Sequence, residues 1–144
     1  MLLPFTIRRS DGWCDITDEI EAANPPWTQA KLDGVGAFQF SVALYKSGRI
    51  PDPPSQLLLS MLRDFASSRE LGEAADIVVE DGELRIAAAS FTPGDEFIRV
   101  WYASDGRNFA KVTYTCARGA QQTELPDCER MIRTLRFEDE TRMV

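Results

Sequence analysis

Three turn dipeptides, Asp81-Gly82, Pro93-Gly94 and Asp105-Gly106, recur about every twelve residues through the second half of the chain, and the segments between them alternate or are rich in β-formers. This spacing predicts a four-stranded antiparallel meander over residues 76–80, 83–91, 96–104 and 107–116. Two-residue turns would place Val79 opposite Leu84, Ile86 opposite Trp101, Ala88 opposite Arg99 and Phe97 opposite Tyr114. One face then carries Ile77, Val79, Ile86, Trp101 and Val112. The other carries Val78, Ala87, Val100, Tyr102 and Phe109. Both are mainly apolar, so both need a cover.

Two segments have the period of a covering helix. Leu58, Met61, Leu62 and Phe65 recur at three and four residues, which predicts a helix over about 53–71, with Asp52 capping its start, Pro53 in its first turn and Gly72 at its end. Leu125, Cys128, Met131, Ile132 and Leu135 repeat the pattern, with Pro126 in the first turn. Upstream, Phe38, Phe40, Val42 and Leu44 alternate with smaller residues and predict a strand over 36–46, and Phe5 to Arg9 can form a short one. Pro25-Pro26 makes a rigid extended turn before Trp27. The expected fold class is α+β: an antiparallel sheet with the four-stranded C-terminal meander, flanked by two helices as an α/β/α sandwich. The length of 144 residues fits a single globular domain, 1–144.

Composition narrows the chemistry. The chain has no histidine, which removes Ser-His and Cys-His nucleophiles and nearly every zinc site. Cys14, Cys116 and Cys128 are odd in number, widely spaced and free of a Cys-x-x-Cys pair, so they read as reduced thiols, the last two buried and inert. Gly34-Val35-Gly36 begins like a dinucleotide fingerprint, but Gln39 takes the third glycine position and a strand follows instead of a helix. There is no phosphate-loop lysine motif and no nucleophile elbow. A calcium loop is disfavoured because Asp15, Asp18 and Glu19 lack alternating acids around a central glycine. No cofactor and no metal are expected, and the chain reads as a non-enzyme. Neither an export signal nor a run of about 20 apolar residues is visible, so a cytoplasmic location is expected.

The formal charge of −7 opposes nucleic acid and anionic membranes and favours a basic protein surface. Asp15, Asp18, Glu19 and Glu21 form the densest acidic set in the first third, near Trp13 and ahead of Trp27. They read as a docking surface in which a tryptophan anchors and carboxylates steer, or more plainly as a solvated acidic loop. Tyr102 and Phe109 lie across from one another and would form an exposed aromatic patch wherever no helix covers them. Arg99 falls on the apolar face between Phe97 and Trp101, where it either stacks on Trp101, lies at a wet sheet margin, or reaches a ligand carboxylate.

The order of strand, helix, meander and closing helix, ending in Met131-Ile132-Arg133-Thr134-Leu135-Arg136-Phe137, resembles the PsbP-like fold family over about residues 25–138. That family spans the photosystem P subunit, a Ran-binding import factor, DcrB-type lipoproteins and type VI secretion effector chaperones. The resemblance implies an α/β/α sandwich used mainly to bind other proteins, with no functional residue carried over, and the missing export signal favours its cytoplasmic branches. The expectation is therefore a non-catalytic protein-binding module, an immunity protein or a chaperone for a toxin or secreted effector, with Trp13, Asp15, Asp18, Glu19, Glu21, Trp27, Tyr102 and Phe109 as candidate partner contacts. The alternatives are a homodimeric secretion chaperone sheltering an apolar helix, and a carboxylate-dependent enzyme or small-ligand binder with two acids converging in a deep pocket.

Overall fold

A computed structural model describes residues 4–21, 23 and 25–138. The meander forms as four strands, β5 (Ala75–Asp81), β6 (Arg85–Phe91), β7 (Glu96–Ser104) and β8 (Phe109–Ala117), each antiparallel to the next. The alternating segment upstream is β4 (Gly36–Ala43), paired to β8 along its whole length. Two strands unexpected from the sequence, β2 (Trp13–Asp15) and β3 (Trp27–Lys31), extend the sheet beyond β4. Among the described residues the sheet has seven strands, in the order β2-β3-β4-β8-β7-β6-β5. Separately, β1 (Phe5–Thr6) pairs with β9 (Arg136–Phe137).

The registers differ from the expected ones because the glycine dipeptides are not the centres of their turns. The Glu96 N–H donates to the Pro93 carbonyl, so Gly94 and Asp95 are the central pair and Ala88 faces Trp101. At the next turn the Asp105 carboxylate accepts the N–H groups of Arg107 and Asn108, so Asp105 precedes the bend and Phe97 faces Cys116. Each displacement is by two residues, which leaves the faces intact. At Asp81-Gly82 three residues lie between the last paired positions, Asp81 and Arg85, and the displacement is odd. Strand β5 is therefore flipped: Val78, not Val79, packs with Ile86 and Trp101, and Ile77 is exposed.

The two faces are buried by two helices. Helix α1 (Ser55–Ser68) lays Leu58, Leu62 and Ala66 onto Ala87, Ala89, Phe91, Val100 and Tyr102, the alanines of β6 letting the helix approach closely. Each buried leucine there contributes about 1.5–3 kcal/mol relative to exposure. The helix begins later than expected, with Pro54 at the cap position. Asp52 has φ +41° and pairs with Arg85 at 2.7 Å instead of capping. Helix α2 (Leu125–Ile132), with Pro126 in its first turn, puts Cys128, Met131 and Ile132 against Phe38, Phe40, Trp101, Val112 and Tyr114 on the other face. An α/β/α layering results.

Arg99 sits under α2, only 4% exposed, and not at a wet margin. Its guanidinium donates to Glu129 Oε1 (2.9 Å), to Ser90 Oγ (3.0 Å) and to the Asp76 carbonyl (2.6 Å), and lies 5.9 Å from the Trp101 ring centroid. The Trp101 indole N–H donates to the other Glu129 oxygen. The Nε and Nη1 donors of this buried cation thus have protein acceptors, and Glu129 supplies the opposite charge that its burial requires.

Candidate functional site

Trp13, expected as a surface anchor, is a core residue. It is 6% exposed, its ring meets Phe38 edge-on at 6.1 Å, and its indole N–H donates to Asp127 Oδ2 at 2.9 Å. The same carboxylate pairs with Lys31 and Arg130, so Trp13 ties β2 to α2 and offers a partner nothing. Tyr102 is likewise withdrawn: it lies under α1 with Phe65 at 6.3 Å and the half-buried Phe109 at 5.3 Å, and its hydroxyl pKa is raised by burial and by nearby Asp64. The open aromatic patch expected from Tyr102 and Phe109 is closed by the helix.

The acidic segment keeps its charges in solvent. Asp15, Asp18, Glu19 and Glu21 are all exposed. Asp15 Oδ1 accepts the backbone N–H of Thr17 (2.8 Å) and its hydroxyl (2.6 Å), starting a 3-10 turn over Thr17–Glu19. That turn is tied to β3, since the Thr28 N–H donates to Thr17 Oγ1 and the Ile16 N–H to the Thr28 carbonyl. Three residues of this edge come together. Asp15 stands opposite Gln29 in the β2–β3 ladder, and Trp27 is two residues from Gln29, so all three share one face. With Phe5, Ile7 and Arg9 they line a pocket of about 370 Å³ between β1 and this end of the sheet.

The pocket has a distinct chemistry. One wall is aromatic: Phe5 stacks on Phe40 at 4.7 Å and meets the half-buried Trp27 edge-on at 6.3 Å. Gln29 is 3% exposed, and no donor among the described residues reaches its Oε1. Arg9 is exposed at the rim. Sequence reasoning missed Phe5, Arg9 and Gln29; the signal for Gln29 was the alternation Trp27-x-Gln29-x-Lys31, masked by the two prolines before it. A larger cleft of about 1130 Å³ lies along the other side of residues 6–8, but its Arg133 is already bound to Glu80 and Glu129.

The failed glycine motif has a structural role. Glu124, 2% exposed, sits just before α2 and accepts the N–H of Val35 (2.8 Å), the N–H of Gly36 (3.1 Å) and the Tyr114 hydroxyl (2.9 Å). A Cβ on Gly34 would lie 2.4 Å from Glu124 Oε2, and one on Gly36 2.6 Å from the Tyr114 ring. The glycines admit a carboxyl group of the chain itself, where a phosphate was excluded. Burial, and after it hydrogen bonding to Cys116 and Glu124, pushes the Tyr114 hydroxyl well above its ordinary pKa. Burial likewise raises the thiols of Cys116 and Cys128. Among the described residues no group of three or more His, Cys, Asp or Glu could hold a metal ion, and no helix is long and apolar enough to cross a membrane.

No protein-family model and no curated protein matches the chain. The architecture does find solved structures. The solution structure of the cyanobacterial PsbP protein CyanoP from Synechocystis sp. PCC 6803 superposes over 96% of this chain and 95% of its own length, with a TM-score of 0.58 at 7% identity. The fold is PsbP-like. A crystal structure from Bacteroides thetaiotaomicron VPI-5482 matches over 96% of this chain with a TM-score of 0.61 at 15% identity, and the present chain spans 46% of that protein's length. At these identities the likeness carries the PsbP-like fold alone, and the pocket at Trp27 is described from this chain's own residues.

Proposed function

We propose that this chain is a non-catalytic protein-binding module that engages a basic partner through the edge formed by β2, the 3-10 turn and β3. The observation that carries the reading is the meeting of Asp15, Trp27 and Gln29 in one pocket, beside the exposed carboxylates of Asp18, Glu19 and Glu21. An aromatic anchor site with an acidic rim is suited to a basic protein surface, whose encounter the rim accelerates and whose side chains the pocket holds. A net charge of −7 acts in the same direction. Immunity to a toxin and chaperoning of a secreted effector are the roles we assign to such a module, in a cytoplasmic setting.

The test is binding of a purified basic partner at about 50 and 200 mM salt, comparing the parent chain with the D18N/E19Q/E21Q variant. The reading expects affinity to fall with salt and at least tenfold on neutralisation. Salt-independent binding that ignores the three substitutions would overturn it. So would turnover of a small molecule that is lost when a single Asp or Glu is neutralised. A second reading, a homodimeric chaperone, draws on Leu57 and Met61, exposed one turn apart on α1. Light scattering separates the two: a dimer dispersed by L57E favours the chaperone, and a monomer favours the acidic edge.

A further inference from the structure

Two cations share one aromatic ring on the α1 side of the sheet. Lys111 Nζ lies 4.5 Å from the centroid of the half-buried Phe65 ring, and the Arg69 guanidinium carbon lies 5.5 Å from the same centroid. A ring face favours one such cation; the second is held there against the repulsion of the first. Neither enters an ion pair among the described residues, in a chain whose formal charge is −7. Of the other groups around Lys111, Tyr102 of β7 and Ser41 of β4 flank it in the ladders and are neutral, and Asp64 of α1 acts on the Tyr102 hydroxyl. Burial, and after it the charge of Arg69, lowers the Lys111 pKa. The amine stays within reach of solvent: among the described residues only Gln29 Oε1 and Arg107 Nε are sealed side-chain polar atoms without a partner. The chain has two other lysines. Lys31 is paired with Asp127 at 3.6 Å, and Lys46 is exposed. A lysine that gives up its proton is a nucleophile, and the guanidinium beside it is a fork shaped for phosphate oxygens. The two together suit a reagent that joins a phosphoryl group to an electrophilic carbon.

We propose that Lys111 is a modification site that takes an acyl group from acyl phosphates, with Arg69 holding the phosphoryl group of the reagent. The ammonium first loses a proton to solvent. The lone pair of the neutral amine attacks the acyl carbon; the C–N bond forms, the bond from that carbon to the phosphate oxygen breaks, and inorganic phosphate leaves with the electron pair. The second amine proton passes to the phosphate or to water, and the product is an uncharged amide at Lys111. Acylation removes one of two like charges from the Phe65 ring and leaves Arg69 as its single cation. The site lies on β8, separated from β3 by β4, and stands apart from the proposed partner edge.

The experiment exposes the folded chain to acetyl phosphate at about pH 8 and reads the occupancy of Lys31, Lys46 and Lys111 over time by peptide mass spectrometry. Lys111 is expected to lead the more exposed Lys46 by about threefold or more, because more of its amine is neutral and its reagent is held. Lys31, tied to Asp127, is expected to be slowest. Arg69→Gln, at an exposed position where the fold is checked by melting, abolishes the lead of Lys111. Arg69→Lys separates the two roles of the guanidinium: it keeps the like charge and loses the fork, so Lys111 still leads toward a neutral acetyl ester and loses part of its lead toward acetyl phosphate. In the urea-unfolded chain the three lysines react alike. A native chain in which Lys46 reacts as fast as Lys111 would overturn the assignment. So would an Arg69→Gln chain that is folded and acetylated at Lys111 at the parent rate, or a lead of Lys111 that survives unfolding.

Discussion

Glu124 is the residue whose removal tests the packing account most sharply. It accepts three hydrogen bonds, from Val35 N–H, Gly36 N–H and the Tyr114 hydroxyl, at 2.8, 3.1 and 2.9 Å. Glu124→Ala strips all three. The two backbone groups stand next to the exposed Val35 and regain water, so each loses only part of a hydrogen bond of about 1–1.5 kcal/mol. The Tyr114 hydroxyl belongs to a fully buried side chain and is left with the weak sulfur acceptor of Cys116 in place of a carboxylate, at about 1–3 kcal/mol. The sum is about 3 kcal/mol, or a fall in melting temperature of about 10 °C for a chain of this length. The assay is urea unfolding of the parent, Glu124→Ala, Tyr114→Phe and the double variant. Coupling between the two sites of about 1 kcal/mol or more is expected. A coupling near zero, or a Glu124→Ala chain as stable as the parent, would refute the role given to this carboxyl group.

Other consequences follow from the same contacts. Gly36→Ala would drive a Cβ to within 2.6 Å of the Tyr114 ring and should cost about 1–3 kcal/mol, measurable by thermal melting, while Gly72→Ser, in open space, should cost only backbone strain. Burial raises the Glu129 pKa, but the hydrogen bond from Arg133, the charge of Arg99 and the Trp101 indole outweigh it and hold the carboxyl below its ordinary value. A pKa lowered by folding stabilises the protein above the unfolded value of about 4.3 and is lost as pH falls through the folded one, so the stability gap between parent and Glu129→Gln should shrink from pH 7 to pH 3 in denaturant titrations. A gap that stays constant would contradict the pairing. Cys14 is exposed and should react with a thiol reagent in the native protein, whereas Cys116 and Cys128, buried and raised in pKa, should react only on unfolding.

The meander, the alternation of β4 and the two apolar helix stripes were legible because burial on both sheet faces imposes a period of two or of three and four residues on long segments. The turn centres were not, since Asp105 uses its side chain to accept from Arg107 and Asn108 and so acts one position earlier than an Asp-Gly pair suggests. Strand β2 has three residues, too few for a period to show, and β3 follows two prolines that read as a turn. Of the candidate contacts, Asp15 and Trp27 meet in the pocket and Asp18, Glu19 and Glu21 stay exposed beside it. Trp13 read as a surface anchor because acidic residues surround it in the sequence, and Tyr102 as an open patch with Phe109 because the sequence does not show which helix covers which sheet face. The covering helix for Trp13 is α2, reached through Asp127, and for Tyr102 it is α1.

Hydrogen exchange of the complex with a basic protein partner tests the functional reading most directly. Slowed exchange confined to residues 13–31, with the outer face of α1 unchanged, is the outcome the acidic edge requires. Slowed exchange around Leu57 and Met61, with residues 13–31 exchanging as in the free chain, would contradict it.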